Sequence, residues 1–249
     1  MGAPVVPLQA PTVLEETNFV VIGAGGLGCP ALLGLVGAGA RRLTIIDDDQ
    51  VDASNLARQV LFAPGDVGVS KARAARSSVL GLAGQRPLWV NAVEQRLSVT
   101  DPRPQLHAIV TALEGPAIVL ECSDDPALKF AVHDACLALG FPVVVAGVIG
   151  WRGQVMAVDP GRRDLACYRC LFEDPPPREF AQACTAVGVI GAVAGTVGHA
   201  MAVLAVGLAD SPEASSAGAL TDFDLLAGTV RRLAPAPRPD CRNFHGDLP

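Results

Sequence analysis

Short β-branched runs alternate with stretches of helical period through the first half of the chain. That pattern predicts repeated strand–helix–strand units and a parallel sheet. Residues 19–22 (FVVI) predict the first strand, and a Gly-rich turn leads into a helix over about 27–38. Residues 43–47 (LTIID) predict the second strand, and a helix runs from about Lys71 to Leu80. LWVNAVE at 88–94 is a third strand and AIVLEC at 117–122 a fourth, followed by a helix to about Leu139. Pro142 opens a fifth, VVVAGVIG. Beyond Gly150 the pattern changes. WRGQVMAVDP predicts another strand, CYRC begins an irregular segment, and DPPPRE is loop. ALTDFDLLAGTVRRL predicts a late strand pair turning at Gly228, and the tail is coil.

Residues 186–209 form an uncharged, Ala/Val/Gly-rich run of 24 residues. Its length permits a membrane span, and Gly191-x-x-x-Gly195 suits helix packing in lipid. The opposing reading is a buried or interface helix in which Gly188, Gly191, Gly195 and Gly198 let backbones approach closely. No basic cluster flanks the run, which favours the second reading and no membrane partner.

Composition narrows the class. The 249 residues are 50% hydrophobic and 4% aromatic, which suits parallel strands under closely packed helices. The expected architecture is one α/β domain: a Rossmann-like, mostly parallel sheet flanked by helices, with a mixed, antiparallel C-terminal extension. Residues 1–17 are expected to be a loose arm, 18–150 a nucleotide-binding half, and 151–249 a half for carrier binding, zinc and dimerisation. A formal charge of −6 argues against a nucleic-acid partner. Seven cysteines in a chain of this size fit reduced thiols in a cytoplasm.

Gly23-Ala24-Gly25-Gly26-Leu27-Gly28 comes after a strand and opens a helix, the setting that the Gly-x-Gly-x-x-Gly motif requires. Glycines permit the tight turn, and the helix N-terminus offers free N–H donors to a phosphate. Asp47 ends the next strand, 19 residues after Gly28, where an acid binds a ribose hydroxyl. These features alone fit an NAD(P)-dependent oxidoreductase equally well. The residues beyond Asp47 do not. Asp49, Asn55, Arg58 and Gln59 offer polar groups of both signs, and Lys71 adds a second cation. Asp124, beyond the fourth strand, is placed either to hold Mg²⁺ on phosphates or to cap the next helix. Two cations and a metal-binding acid suit attack on the α-phosphate of ATP rather than hydride transfer.

GAGGLG, IIDDDQVDASNLARQ, Lys71, ECSDD and CYRC, in this order over roughly residues 19–210, resemble the ThiF/MoeB/HesA family, bacterial relatives of ubiquitin-activating enzymes. The resemblance implies an adenylyltransferase. It would use ATP and Mg²⁺ to adenylate the C-terminal glycine of a ubiquitin-like sulfur carrier for thiamin, molybdopterin or related sulfur transfer, as a homodimer. Gly25 and Gly28 would line the phosphate turn and Asp47 hold the ribose. Asn55, Arg58, Gln59 and Lys71 would surround the phosphates, and Asp124 would position Mg²⁺. Two departures stand out. No arginine precedes Arg41, where the family carries one that reaches the partner subunit's ATP, and Asp125 replaces an amide. A degenerate, non-catalytic binding module therefore stays open as an alternative.

The resemblance also frames the cysteines. Cys167-x-x-Cys170 is the first half of a structural zinc site, and the family's second half is another Cys-x-x-Cys. Here the tail offers Cys241 and His245, giving a Cys₃His set. Idle thiols or a redox pair are the alternatives. Cys184, just before the long helix, stands where some relatives carry a thioester or persulfide acceptor. His133 and His199 fall on predicted helices as structural residues.

Overall fold

A computed structural model describes residues 11–177, 188–213 and 215–241. Eight strands form one sheet in the order β3-β2-β1-β4-β5-β6-β7-β8. The first five are β1 (Asn18–Ile22), β2 (Arg42–Ile46), β3 (Trp89–Val93), β4 (Ala117–Glu121) and β5 (Val143–Ile149), all parallel. The antiparallel extension adds β6 (Arg152–Val158), β7 (Leu220–Asp224) and β8 (Thr229–Leu233). Gly228 turns the last pair at φ +65°, a left-handed conformation open to glycine.

Alternation along each central strand feeds two cores. Phe19 and Val21 of β1 point into one, Val20 and Ile22 into the other, and all four are buried. The first core is covered by α2 (Gly28–Ala38), α3 (Lys71–Ala83) and the long α7 (Gly191–Asp210). The second is covered by α4 (Arg103–Thr111), α5 (Pro126–Leu139) and the single turn α6 (Tyr168–Leu171). Both faces being covered explains why these strands read as continuous apolar runs.

The sequence does not announce three elements. A turn, α1 (Val13–Glu16), ends the supposed arm and buries Leu14 completely. Helix α4 escapes the hydrophobic pattern because only Leu106 and Val110 of its nine residues are buried. CYRC is helical through α6 rather than irregular.

Helix α7 buries Val193, Val197, Met201, Ala205 and Leu208 as one stripe, the arrangement of a core helix. Its glycines divide. A Cβ at Gly198 would sit 2.5 Å from the Leu27 carbonyl oxygen, and one at Gly191 would sit 2.6 Å from that of Ala57. Gly195 faces open space and Gly188 serves a turn at φ +73°, so neither is a packing glycine.

The chain leaves β1 toward β2 and β3, then returns to β4 on the other side. Strand order reverses between β1 and β4, and a ligand crevice opens at such a switch point beyond the carboxyl ends of the strands.

Candidate functional site

A cavity of about 1100 Å³ opens at that switch point. Gly23, Gly25 and Gly26 form its floor. Asp47, Asp49, Asn55, Arg58 and Gln59 reach it from the segment after β2, Lys71 from the first turn of α3, and Asp124 from the β4–α5 turn.

The glycines do different jobs. Gly23 adopts φ +89°, and a Cβ there would press at 3.1 Å on the backbone of Cys122 and Ser123. Gly28 does not reach the cavity. Any side chain on it would collide with the Gly23 carbonyl, so it lets α2 start directly beneath the loop. Gly25 is open, with its nearest neighbour at 3.9 Å, and leaves room for a phosphate.

Asp47 ties this loop to the end of β2. Its Oδ2 accepts from the Ala24 amide at 2.7 Å and its Oδ1 from the Asp49 amide at 2.8 Å. Burial raises its pKa above the usual carboxylate value, and the two amide bonds partly oppose that rise. Asp49 faces Lys71: its Oδ2 accepts from the ammonium at 2.8 Å, and its carbonyl accepts the Lys71 amide at 2.9 Å. Asp49 thus aims Lys71, which is only 8% exposed.

Asp52 caps the short 3₁₀ turn Ala53–Asn55, accepting from the Ser54 amide at 2.8 Å. Asn55 then accepts from the Arg58 guanidinium, which holds the cation over the cavity. Gln59 is 4% exposed, and its Oε1 has no hydrogen-bond partner among the described residues. A buried unpaired acceptor is costly and suits a ligand donor such as a sugar hydroxyl.

The helix-cap question is settled against Asp124. Asp125 caps α5, accepting from Ala127 at 2.8 Å and Leu128 at 3.3 Å. Asp124 is exposed to the cavity and makes no hydrogen bond or ion pair among the described residues. The site also includes residues that the sequence motifs do not flag. Phe130 reaches the cavity from α5, and Arg152, Gln154 and Asp222 from the antiparallel strands, while Lys129 lies in the wall with its ammonium turned to Glu121. A lysine inside the apolar face of α5 is the one sequence signal that could have drawn attention to this wall.

Cys167, Cys170 and Cys241 converge at the start of α6. Cys167 Sγ lies 3.7 Å from Cys170 and 3.6 Å from Cys241, and all three sulfurs fall within 4.8 Å of one another. His245 and Cys184 lie outside the described residues. His133 is fully buried, and its Nδ1 lies 2.9 Å from Asp134 while its Nε2 accepts the Tyr168 amide at 3.3 Å. Burial lowers its pKa, so it stays neutral and splints α5 to α6. Burial would raise the Asp134 carboxyl, but His133 and Arg169 hold it down at about 2. His199 sits on the exposed side of α7 and bonds the Gly195 carbonyl at 2.8 Å.

The model of the ThiF family matches residues 3–243. Among curated proteins, the chain is 38% identical over 232 residues to the adenylyltransferase and sulfurtransferase MOCS3 of Mus musculus, covering 92% of this chain and 47% of that one. It is 34% identical over 227 residues to the adenylyltransferase and sulfurtransferase uba4 of Aspergillus fumigatus, covering 85% and 42%. The chain thus spans about half the length of these relatives. Among solved structures, E. coli MccB with ATP superposes with a TM-score of 0.78 at 20% identity, covering 95% of this chain and 69% of that one. At that identity the likeness concerns the fold.

Proposed function

The chain belongs to the ThiF family, and from that premise we propose that it is an ATP-dependent adenylyltransferase acting on the C-terminal glycine of a ubiquitin-like carrier protein. One observation carries the reading: Arg58, Lys71 and Asp124, from three separate elements, line the same cavity as Asp47 and the glycine loop. A dinucleotide oxidoreductase has no use for that convergence.

The chemistry is dictated by the charges. A carrier carboxylate oxygen attacks the α-phosphorus of ATP, and the bond to the β-phosphate oxygen breaks. Pyrophosphate leaves with the bonding pair, and a mixed acyl–phosphate anhydride remains. Negative charge grows on the departing pyrophosphate. Arg58, held by Asn55, and Lys71, held by Asp49, are pre-aimed to stabilise it without reorganising. Asp47 accepts from the ribose and fixes the phosphates against Gly25. Magnesium suits Asp124, an unpaired carboxylate facing the cavity, and would neutralise phosphate charge there. The carrier tail would enter along the side of the cavity lined by Arg152, Gln154 and Asp222.

Zinc suits the three clustered thiols, which lack one ligand of a tetrahedron; His245 is the candidate for the fourth. Its role would be structural. Six cysteines are free among the described residues, which fits a cytoplasmic setting. A homodimer and sulfur transfer through Cys184 complete the proposal.

The test is ATP–pyrophosphate exchange with a carrier ending in Gly-Gly. Arg58→Ala and Asp124→Ala should each reduce exchange by roughly a hundredfold or more, the scale of losing one transition-state contact. Full activity in either variant refutes the site. ATP binding without any exchange would identify a binding module instead.

A further inference from the structure

Asp124 sits on a turn whose neighbouring polar groups are all hydrogen-bonded within the fold. Glu121, the last residue of β4, is completely buried, and Lys129 in α5 is 7% exposed. The two form an ion pair through Glu121 Oε2. Glu121 Oε1 accepts the Ser123 amide at 3.1 Å and also the Ser123 hydroxyl. The Lys129 ammonium donates to the Ser123 carbonyl at 3.2 Å. One pair of charges therefore holds the amide, the hydroxyl and the carbonyl of the residue before Asp124. The residue after it, Asp125, is committed to capping α5. Only the Asp124 carboxylate is left over.

Burying two charges is an expensive way to fill a core. An apolar pair of similar volume would serve stability as well or better, so what such a pair can supply is a defined geometry. Here the geometry it defines is that of a single residue.

We propose that the Glu121–Lys129 pair is a positioning device that fixes the Asp124 carboxylate for the metal–nucleotide complex. The proposal rests on Asp124 being the magnesium ligand. Lys129 is a positioning residue in it, acting through the Ser123 turn and not on the phosphates. The pair therefore governs how much Mg²⁺ strengthens ATP binding, while leaving metal-free ATP binding as it was.

The experiment measures the ATP dissociation constant by calorimetry on the full chain, once with millimolar MgCl₂ and once with EDTA. The ratio of the two constants is the readout. Asp124→Asn sets its floor. The double variant Glu121→Gln/Lys129→Met removes both charges without stranding either, and should lower the ratio about tenfold, the effect expected of a group that supports a metal ligand. Its metal-free constant should stay at the wild-type value, and Lys129→Arg should keep the wild-type ratio. A folded double variant with an undiminished ratio overturns the proposal while Asp124 keeps its role. A double variant weakened equally with and without metal makes Lys129 a direct phosphate ligand and also overturns it. If Asp124→Asn leaves the ratio unchanged, the assignment of Asp124 falls and the positioning role falls with it. Should the double variant fail to fold, Ser123→Ala carries the test: a smaller drop in the same ratio supports the proposal, and no drop overturns it.

Discussion

The Asp47 carboxylate is held by two backbone amides and still faces the cavity, and its raised pKa makes a two-sided prediction. A ribose hydroxyl needs the ionised form as acceptor. ATP affinity should therefore fall as pH drops through the raised value, starting above the range near ~4 where an unperturbed Asp titrates. Stability of the empty protein runs the other way. The folded state holds this proton more tightly than the unfolded chain does. Asp47's favourable contribution is complete below the unfolded pKa and is lost as pH rises through the folded one. ATP titrations and thermal melts across acidic pH check both limbs. Asp47→Asn should flatten each, and an unchanged affinity profile in that variant would remove Asp47 from the ribose site.

Helix α7 is the element on which sequence and structure speak least alike. Its glycines look equivalent along the chain, yet Gly198 lies against Leu27 and Pro30 at the start of α2 while Gly195 meets nothing. Gly198→Ala should cost about 1–3 kcal/mol in denaturant unfolding, the usual range for overpacking. Gly195→Ala should be neutral or stabilise by up to ~1 kcal/mol, because alanine forms helix more readily than glycine. Equal effects at the two sites would mean that α7 does not pack on α2 as described. Gly198→Ala should also disturb the nucleotide loop, since Leu27 belongs to it.

Across the fold as a whole, the thiol cluster joins segments 74 residues apart in the chain: Cys167 and Cys170 at the start of and within α6, and Cys241 beyond β8. Through His133 and Arg169, which pairs with Asp134, the cluster is fastened to α5, the helix that also begins at the nucleotide site. A bound zinc would bind the folded chain far better than the unfolded one, so its loss should appear as lost stability. Cys167→Ser should abolish stoichiometric zinc and lower the melting temperature by several degrees, on the order of what ~1–3 kcal/mol does in a domain of this size. ATP affinity should change little, because the residues assigned to ATP lie between Gly23 and Asp124 and none of the three cysteines lines the cavity. Elemental analysis, melting curves and calorimetry on one preparation check all three. Wild-type protein that holds no zinc when purified would leave the cluster as idle thiols.

Local signals were enough for the sheet and for most of the residues that gather at its switch point. Strand runs buried on both faces, a glycine motif between strand and helix, and an acid 19 residues on are all set by physics within one stretch of chain. The Ser-Asn-Leu-Ala-Arg-Gln segment and CYRC were likewise legible as motifs. Three-dimensional packing was needed to choose which of two adjacent aspartates caps α5 and which faces the cavity, since Asp124 and Asp125 are the same residue type one position apart. Packing also paired Glu121 with Lys129, and it separated the close-fitting glycines of α7 from the idle one. Each of these outcomes depends on what lies across a gap from the residue, and the chain's own periodicity carries no record of that neighbour.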